Sequence, residues 1–226
     1  GDIDQGSIPD APQLGSAVAI ETNNSPRAMQ SVWRNDKLYL VNTINPSSGA
    51  NAGQATVHWY SIDTSNLGVL SLLDQGNVDG EDIATNTHTF FPSIAVNSSD
   101  GIAIGFAASG AGIYPGAYVT GRTPADTAGT VQTSAEIAGG LASYVRAFSS
   151  NGGTRNRWGD YSGTSVDPSN DSTFWAFNEY ALAQGTDLGS TFGGESELGR
   201  WGTKWGSFTV TASNNAPAGT DKTLSV

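Results

Sequence analysis

The chain has 226 residues, enough for one large or two small domains, with 37% apolar residues, 29 glycines and only 14% charged residues. That charge content, well below the ~25% of an ordinary globular chain, argues against a coiled coil, a charged disordered tail and a nucleic-acid-binding module. A net charge of −11, from 21 acids against 10 bases, repels phosphate backbones and anionic membrane surfaces. The absence of cysteine removes disulfides, thiolate zinc sites and a thiol nucleophile.

Residues 1–24 read as a polar N-terminal segment with two prolines. The start at Gly1 suggests a processed or trimmed product, in which a removed signal would leave no trace. From there to about residue 211, short apolar stretches alternate with turn clusters. No stretch approaches the ~20 apolar residues that span a bilayer as a helix. Lys37-Leu38-Tyr39-Leu40-Val41, the run from Thr56 to Ile62, Ile102-Ala103-Ile104-Gly105-Phe106 and Ser207-Phe208-Thr209-Val210 all carry the period-two pattern of strands. The best helical candidate is Ser134 to Ser143, weakened by Gly139-Gly140. Residues 25–212 therefore form the β unit, and 213–226 a polar C-terminal tail or linker.

An internal repeat organises that unit. Ser31 to Leu40, Ala95 to Ile104 and Ser165 to Trp175 each read as a small residue, Val, a polar turn containing Asp, then an apolar strand. Asp and Asn suit such turns because their side chains bond nearby backbone amides. A second echo links Arg157-Trp158-Gly159-Asp160 with Arg200-Trp201-Gly202-Thr203. Four-stranded units recurring every 40–70 residues mark a β-propeller, whose inner strands would be Arg27–Val32, Phe91–Val96, Tyr161–Val166 and Trp205–Val210. A β-sandwich with similar hairpins is the competing architecture. The fold expected is all-β and propeller-like: three four-stranded blades plus part of a fourth, in an incomplete ring or one closed by another chain.

The segment Asn156-Arg157-Trp158-Gly159-Asp160-Tyr161-Ser162-Gly163-Thr164-Ser165-Val166-Asp167-Pro168, continuing to Glu179-Tyr180-Ala181, resembles a signature of uncharacterised bacterial secreted proteins. These are related to sialidase-like, Asp-box (BNR-repeat) propellers. Phe91-Pro92-Ser93-Ile94 and Tyr114-Pro115-Gly116 are similar to the same group. Ser165, Asp167, Thr173 and Trp175 echo the Asp-box, Ser-x-Asp-x-Gly-x-Thr-Trp, with a longer loop and without its Gly. In Asp-box proteins that motif is a structural hairpin, so the resemblance implies a fold, and secretion or display at the cell surface as the expected location, more than an activity.

Arg157, Trp158 and Asp160, with Arg27 and Arg200 before other inner strands, are the candidate ligand-binding residues. Asp160 would accept a sugar hydroxyl or ligate a cation, and Trp158 would stack on a pyranose. The competing reading is an Arg157–Asp160 ion pair and a tryptophan packed between blades. Asp160, Tyr161, Glu179 and Tyr180 are the candidate acid/base and nucleophile set, since glycoside hydrolysis needs two carboxylates or a Tyr paired with Glu. Arg27, Arg157 and Arg200 would hold a substrate carboxylate through bidentate forks. Asp79, Glu81 and Asp82, and Asp167 with Asp171, are the candidate metal ligands. Neither group has EF-hand spacing, and a structural calcium ion is the one cofactor to consider. His58 and His88 read as strand or loop residues.

The function expected is binding of glycan or protein, or assembly of a larger extracellular structure, without catalysis. Glycans or other protein subunits are the expected partners, and the chain is expected to be a homo-oligomer or a piece of a larger propeller. Nucleic acid and direct membrane insertion are not expected. The alternative is a sialidase-like glycoside hydrolase.

Overall fold

The computed structural model describes residues 7–23, 26–148 and 154–212. Among them there is no helix; the chain forms several small antiparallel sheets, none closed. The N-terminal segment makes a hairpin, β1 (Ala11–Gln13) and β2 (Ser16–Ile20). The first large sheet is a meander of β3 (Ala28–Arg34), β4 (Lys37–Ile44), β5 (Thr56–Asp63) and β6 (Ser71–Val78). The second repeats that order with β7 (His88–Val96), β8 (Ile102–Gly110), β9 (Ile113–Arg122) and β10 (Ala135–Ala138). The third has β11 (Gly163–Val166) at one edge, β12 (Thr173–Ala181) in the centre and β15 (Trp201–Thr209) at the other edge. A short hairpin, β13 (Thr191–Phe192) with β14 (Glu195–Ser196), lies in the β12–β15 connection.

The three large sheets stack face to face with the second in the middle. Tyr39, Val41, Val57, Trp59 and Val78 of the first sheet pack on Ile94, Ile104, Phe106 and Tyr118 of the second. The opposite face of the second sheet presents Ala95, Ala103 and Val119 to Phe174, Ala176 and Phe208 of the third. This placement explains why Ile102 to Gly110, IAIGFAASG, is apolar or small without alternation. A strand covered on both faces has no polar side, and all nine residues of β8 are buried. Small residues here set the spacing between sheets: a Cβ on Gly105 would lie 2.7 Å from Thr164 Oγ1. A third apolar cluster closes one end of the stack, where Ala11 and Ile20 meet Phe90, Phe91, Tyr144, Trp158 and Ala181.

The opposite end carries the repeat. Each repeated segment is the first hairpin of a large sheet, β3–β4, β7–β8 and β11–β12. The turns interlock in order. Asn35 Nδ2 donates to Ser98 O and to Asp100 Oδ1, and Lys37 Nζ lies 2.6 Å from Asp100 Oδ2. The Ser98 amide donates to Asp171 Oδ2 at 2.8 Å, and Arg34 pairs with Asp171. Asn35, Asp36, Asp100 and Asp171 all adopt positive φ, from 50° to 59°, which short polar side chains tolerate better than other non-glycine residues.

Two expectations are corrected. The segment Ser134 to Ser143 is not helical: Ala135–Ala138 is β10, paired with β9 through Ala135↔Val119 and Glu136↔Tyr118. Its apolar residues serve an edge strand, and a Cβ on Gly140 would meet Pro115 O at 2.5 Å. Trp205–Val210 begins no fourth unit. Trp205–Thr209 is the second half of β15, which pairs with β12 from Thr173↔Thr209 to Ala181↔Trp201 and so completes a third sheet of three strands rather than four. The N-terminal segment is also more than a polar lead-in, because Ile8, Ala11 and Ile20 are buried. The tail at 213–226 lies outside the described residues.

Candidate functional site

The loop 155–161 and the end of β12 form a charged group beside the third apolar cluster. Arg157 Nη2 lies 2.9 and 2.8 Å from the two oxygens of Asp160. The same guanidinium places Nε 3.1 Å from Glu21 Oε2, and Arg155 pairs with the other oxygen of Glu21. Glu21 is buried at the end of the N-terminal hairpin. Burial raises its carboxyl above the usual range, while Arg155 and Arg157 pull the other way. Glu179 accepts a hydrogen bond from the Gly159 amide at 3.0 Å. Burial pushes the Glu179 carboxyl up to about 7; the Gly159 amide opposes this and the neighbouring Asp160 charge adds to it.

Trp158, between these ion pairs in sequence, is only 3% exposed and packs edge-on against Tyr144, ring centroids 5.1 Å apart. Its faces are covered by protein, so the packed tryptophan and the Arg157–Asp160 ion pair are what the structure contains. Tyr161 is exposed on the same loop. Glu179 and Tyr180 are consecutive on β12 and project to opposite faces of the third sheet, as pleating requires. Glu179 shares its register position with Thr203 and Tyr180 with Gly202. The three arginines are not gathered. Arg27 is exposed just before β3, and Arg200 lines a separate cavity of about 410 Å³ with Arg146, Phe148 and Trp201.

The acidic turns use their carboxylates within the protein. Asp167 accepts from the Ser169 amide and hydroxyl and from Trp175 Nε1 at 2.9 Å, and these bonds hold it below the usual range. Asp171 is lowered by the Ser98 side chain and amide and by Arg34. Asp79 accepts from the Glu81 amide, Glu81 from the Asn86 amide, and Asp82 from the Ser134 amide. Among the described residues no group of three or more acidic or histidine side chains could hold a metal ion. Asp79 and Asp82 do line a polar cleft of about 770 Å³, with His58, Asn77 and the 126–134 loop. His88 is buried and accepts from the Ala55 amide, and burial lowers its pKa to about 4.

Sequence reasoning missed Glu21 and Arg155, and it missed the outer faces of the stack. On the third sheet, the face turned away from the second carries Trp175 (36% exposed), Phe177 (47%), Trp201 (54%) and Trp205 (66%). Phe177 sits opposite Trp205 in register, and the Trp175 and Trp205 rings are 5.5 Å apart. On the first sheet the outer face carries Trp33 (61%) and Leu72 (54%) with half-buried Leu38, Leu40, Tyr60 and Ile62. The signal was available: in FWAFNEY aromatic residues fall in both alternating sets, and WGTKWGSF carries two tryptophans in one set and Phe208 in the other, so large apolar side chains are placed on both faces of the sheet. Comparison of the chain with protein-family models, curated proteins and solved structures finds no match.

Proposed function

We propose that this chain is a segment of a β-propeller-like ring, secreted or displayed at the cell surface, whose work is binding or assembly through the two outer faces of its sheet stack. The observation that carries this reading is that both outer faces expose large apolar side chains among their polar ones, whereas a solvated sheet face is polar. Three meander-like sheets in sequence order, with their first strands β3, β7 and β11 adjacent, also support it. Gln30 of β3 accepts from the Ile94 amide of β7, and Ser93 of β7 bonds Thr164 of β11. The resemblance to Asp-box propellers points the same way, and the Asp167–Trp175 bond ties together two residues of that echo.

The test is binding of an environment-sensitive apolar dye to the chain, compared with Trp175→Ser/Trp205→Ser and Trp33→Ser/Leu72→Ser variants. Bright dye that each double substitution dims, or faces already covered by self-association, supports docking surfaces. A dispersed chain that leaves the dye dark removes the reading.

One observation favours a second reading, a glycoside hydrolase. Burial pushes the Glu179 carboxyl up to about 7, and the second carboxylate, Asp160, stands beside it in an ion pair with Arg157; a raised acid next to a second carboxylate is the pairing that acid-assisted glycosidic cleavage uses. Hydrolysis of aryl glycosides lost in both Glu179→Gln and Asp160→Asn would establish it.

A further inference from the structure

We infer that the partner of these two faces is a second copy of the same chain: the outer face of the first sheet of one copy seats on the outer face of the third sheet of the other, twice over, so that two copies close one ring of six sheets. The inference rests on the docking reading above and names the occupant. Its first support is the order of the stack. The first sheet packs on the second, and the second on the third, each time through the face that looks forward along the chain. Continuing that relation past the third sheet calls for a sheet offering a backward-looking apolar face. The first sheet has such a face, unpartnered among the described residues, with Trp33, Leu38, Leu40, Tyr60, Ile62 and Leu72 as its apolar part beside His58 and Gln75.

Area supplies the second support. Taking about 150–250 Å² for a fully exposed aromatic side chain, the four rings on the third sheet leave roughly 400 Å² uncovered, and the first sheet offers a similar amount. Two contacts that each bury both faces would remove on the order of 1,500 Å² from water, the size of a stable specific interface. The number of sheets agrees as well, since six lies within the range of about four to eight in closed propellers. Head-to-tail contacts of this kind close into a ring when the rotation fits, and grow into filaments when it does not.

Charge opposes association, because each copy carries −11. Added salt screens that repulsion and leaves apolar contacts in place, so the dimer should tighten as salt rises.

The experiment is sedimentation velocity of the full chain over a dilution series, with Trp33→Asp and Trp205→Asp as single-face variants. Both side chains are more than half exposed, and circular dichroism checks that each variant folds. The wild type should sediment as a dimer of a 23.3 kDa chain. Each variant should be monomeric, because every contact uses one face of each kind. Mixing the two variants should restore a dimer, since one of its two contacts is then unmutated. A variant that stays dimeric would mean that like faces pair, and a series of larger species would mean that the contacts do not close; either overturns the ring. A monomeric wild type also overturns it. In that case dye binding on the monomer leaves the docking reading intact with another protein or chain segment as partner, and its absence removes both.

Discussion

The Gly159 amide donates to Glu179 Oε2 at 3.0 Å, and a Cβ on Gly159 would lie 2.3 Å from that same oxygen. Any side chain at this position must therefore displace the Glu179 carboxyl, whose direction the Gly159 N–H fixes. Gly159→Ala should force Glu179 out of its seat and destabilise the protein by about 1–3 kcal/mol. Glu179→Ala in the same background should relieve most of that cost. Chemical denaturation of the single and double variants measures the coupling.

Glu179 and His88 should oppose each other in the pH dependence of stability. Glu179 has a folded pKa of about 7 against 4.5 for the free group. The folded state therefore holds a proton that the unfolded chain releases, and this contribution is full below about pH 4.5 and declines as pH rises towards 7. His88 has a folded pKa of about 4 against 6.5, so its contribution is full above about pH 6.5 and is lost as pH falls through 4. Each is worth on the order of 3 kcal/mol at its limit. In the window they share, the two slopes offset one another in the wild type. Glu179→Gln should leave stability rising with pH there, and His88→Gln should leave it falling.

Trp158 and Trp175 should differ sharply although both lie within the resembling segment. Trp158→Ala removes a buried ring that packs on Tyr144 and should cost about 3–5 kcal/mol. Trp158→Phe should cost much less, because the buried Trp158 Nε1 has no hydrogen-bond partner to lose. Trp175→Ala removes a ring on the open face and one bond to Asp167, and should cost about 1 kcal/mol in a monomer. Thermal unfolding of the three variants checks the order.

Asp100 should prove the most costly of the repeated turn residues. It takes bonds from Lys37, Asn35 and Tyr39, and although burial raises its carboxyl, these donors hold it below the usual range. Asp100→Ala should lose about 2–3 kcal/mol, because it strands partly buried donors and puts a residue with no polar side chain at φ 59°. Asp100→Asn should recover part of the loss. Since the charged form is favoured in the folded state, the wild type should lose this contribution as pH falls below the ordinary carboxylate range. Acid titration of both variants against wild type reads it.

The strands and their repeat were legible from local sequence. Period-two runs such as Lys37 to Val41 need only local alternation, and the Val–turn–Asp–strand repeat appears as three matching hairpins because turn chemistry is local. Which hairpin joins which sheet was not local. Trp205 to Val210 looked like the opening of a new unit, yet the nine-residue pairing of Trp201–Thr209 with β12 is decided by what lies beside it in space. Ala135 to Ala138 became an edge strand because β9 offered open backbone groups, which outweighed the weak helical propensity of a segment ending in two glycines. The site divided in the same way. The Arg157–Asp160 pair, three residues apart, was legible. Glu21, more than 130 residues away from Arg157, reached it only through the fold, and Glu179 parted from Tyr180 because neighbours on a strand face opposite sides. Burial set the rest: the same residue type became core as Trp158, enclosed by the N-terminal hairpin and Tyr144, and open surface as Trp205, because only the stacking of sheets decides which apolar face finds a partner.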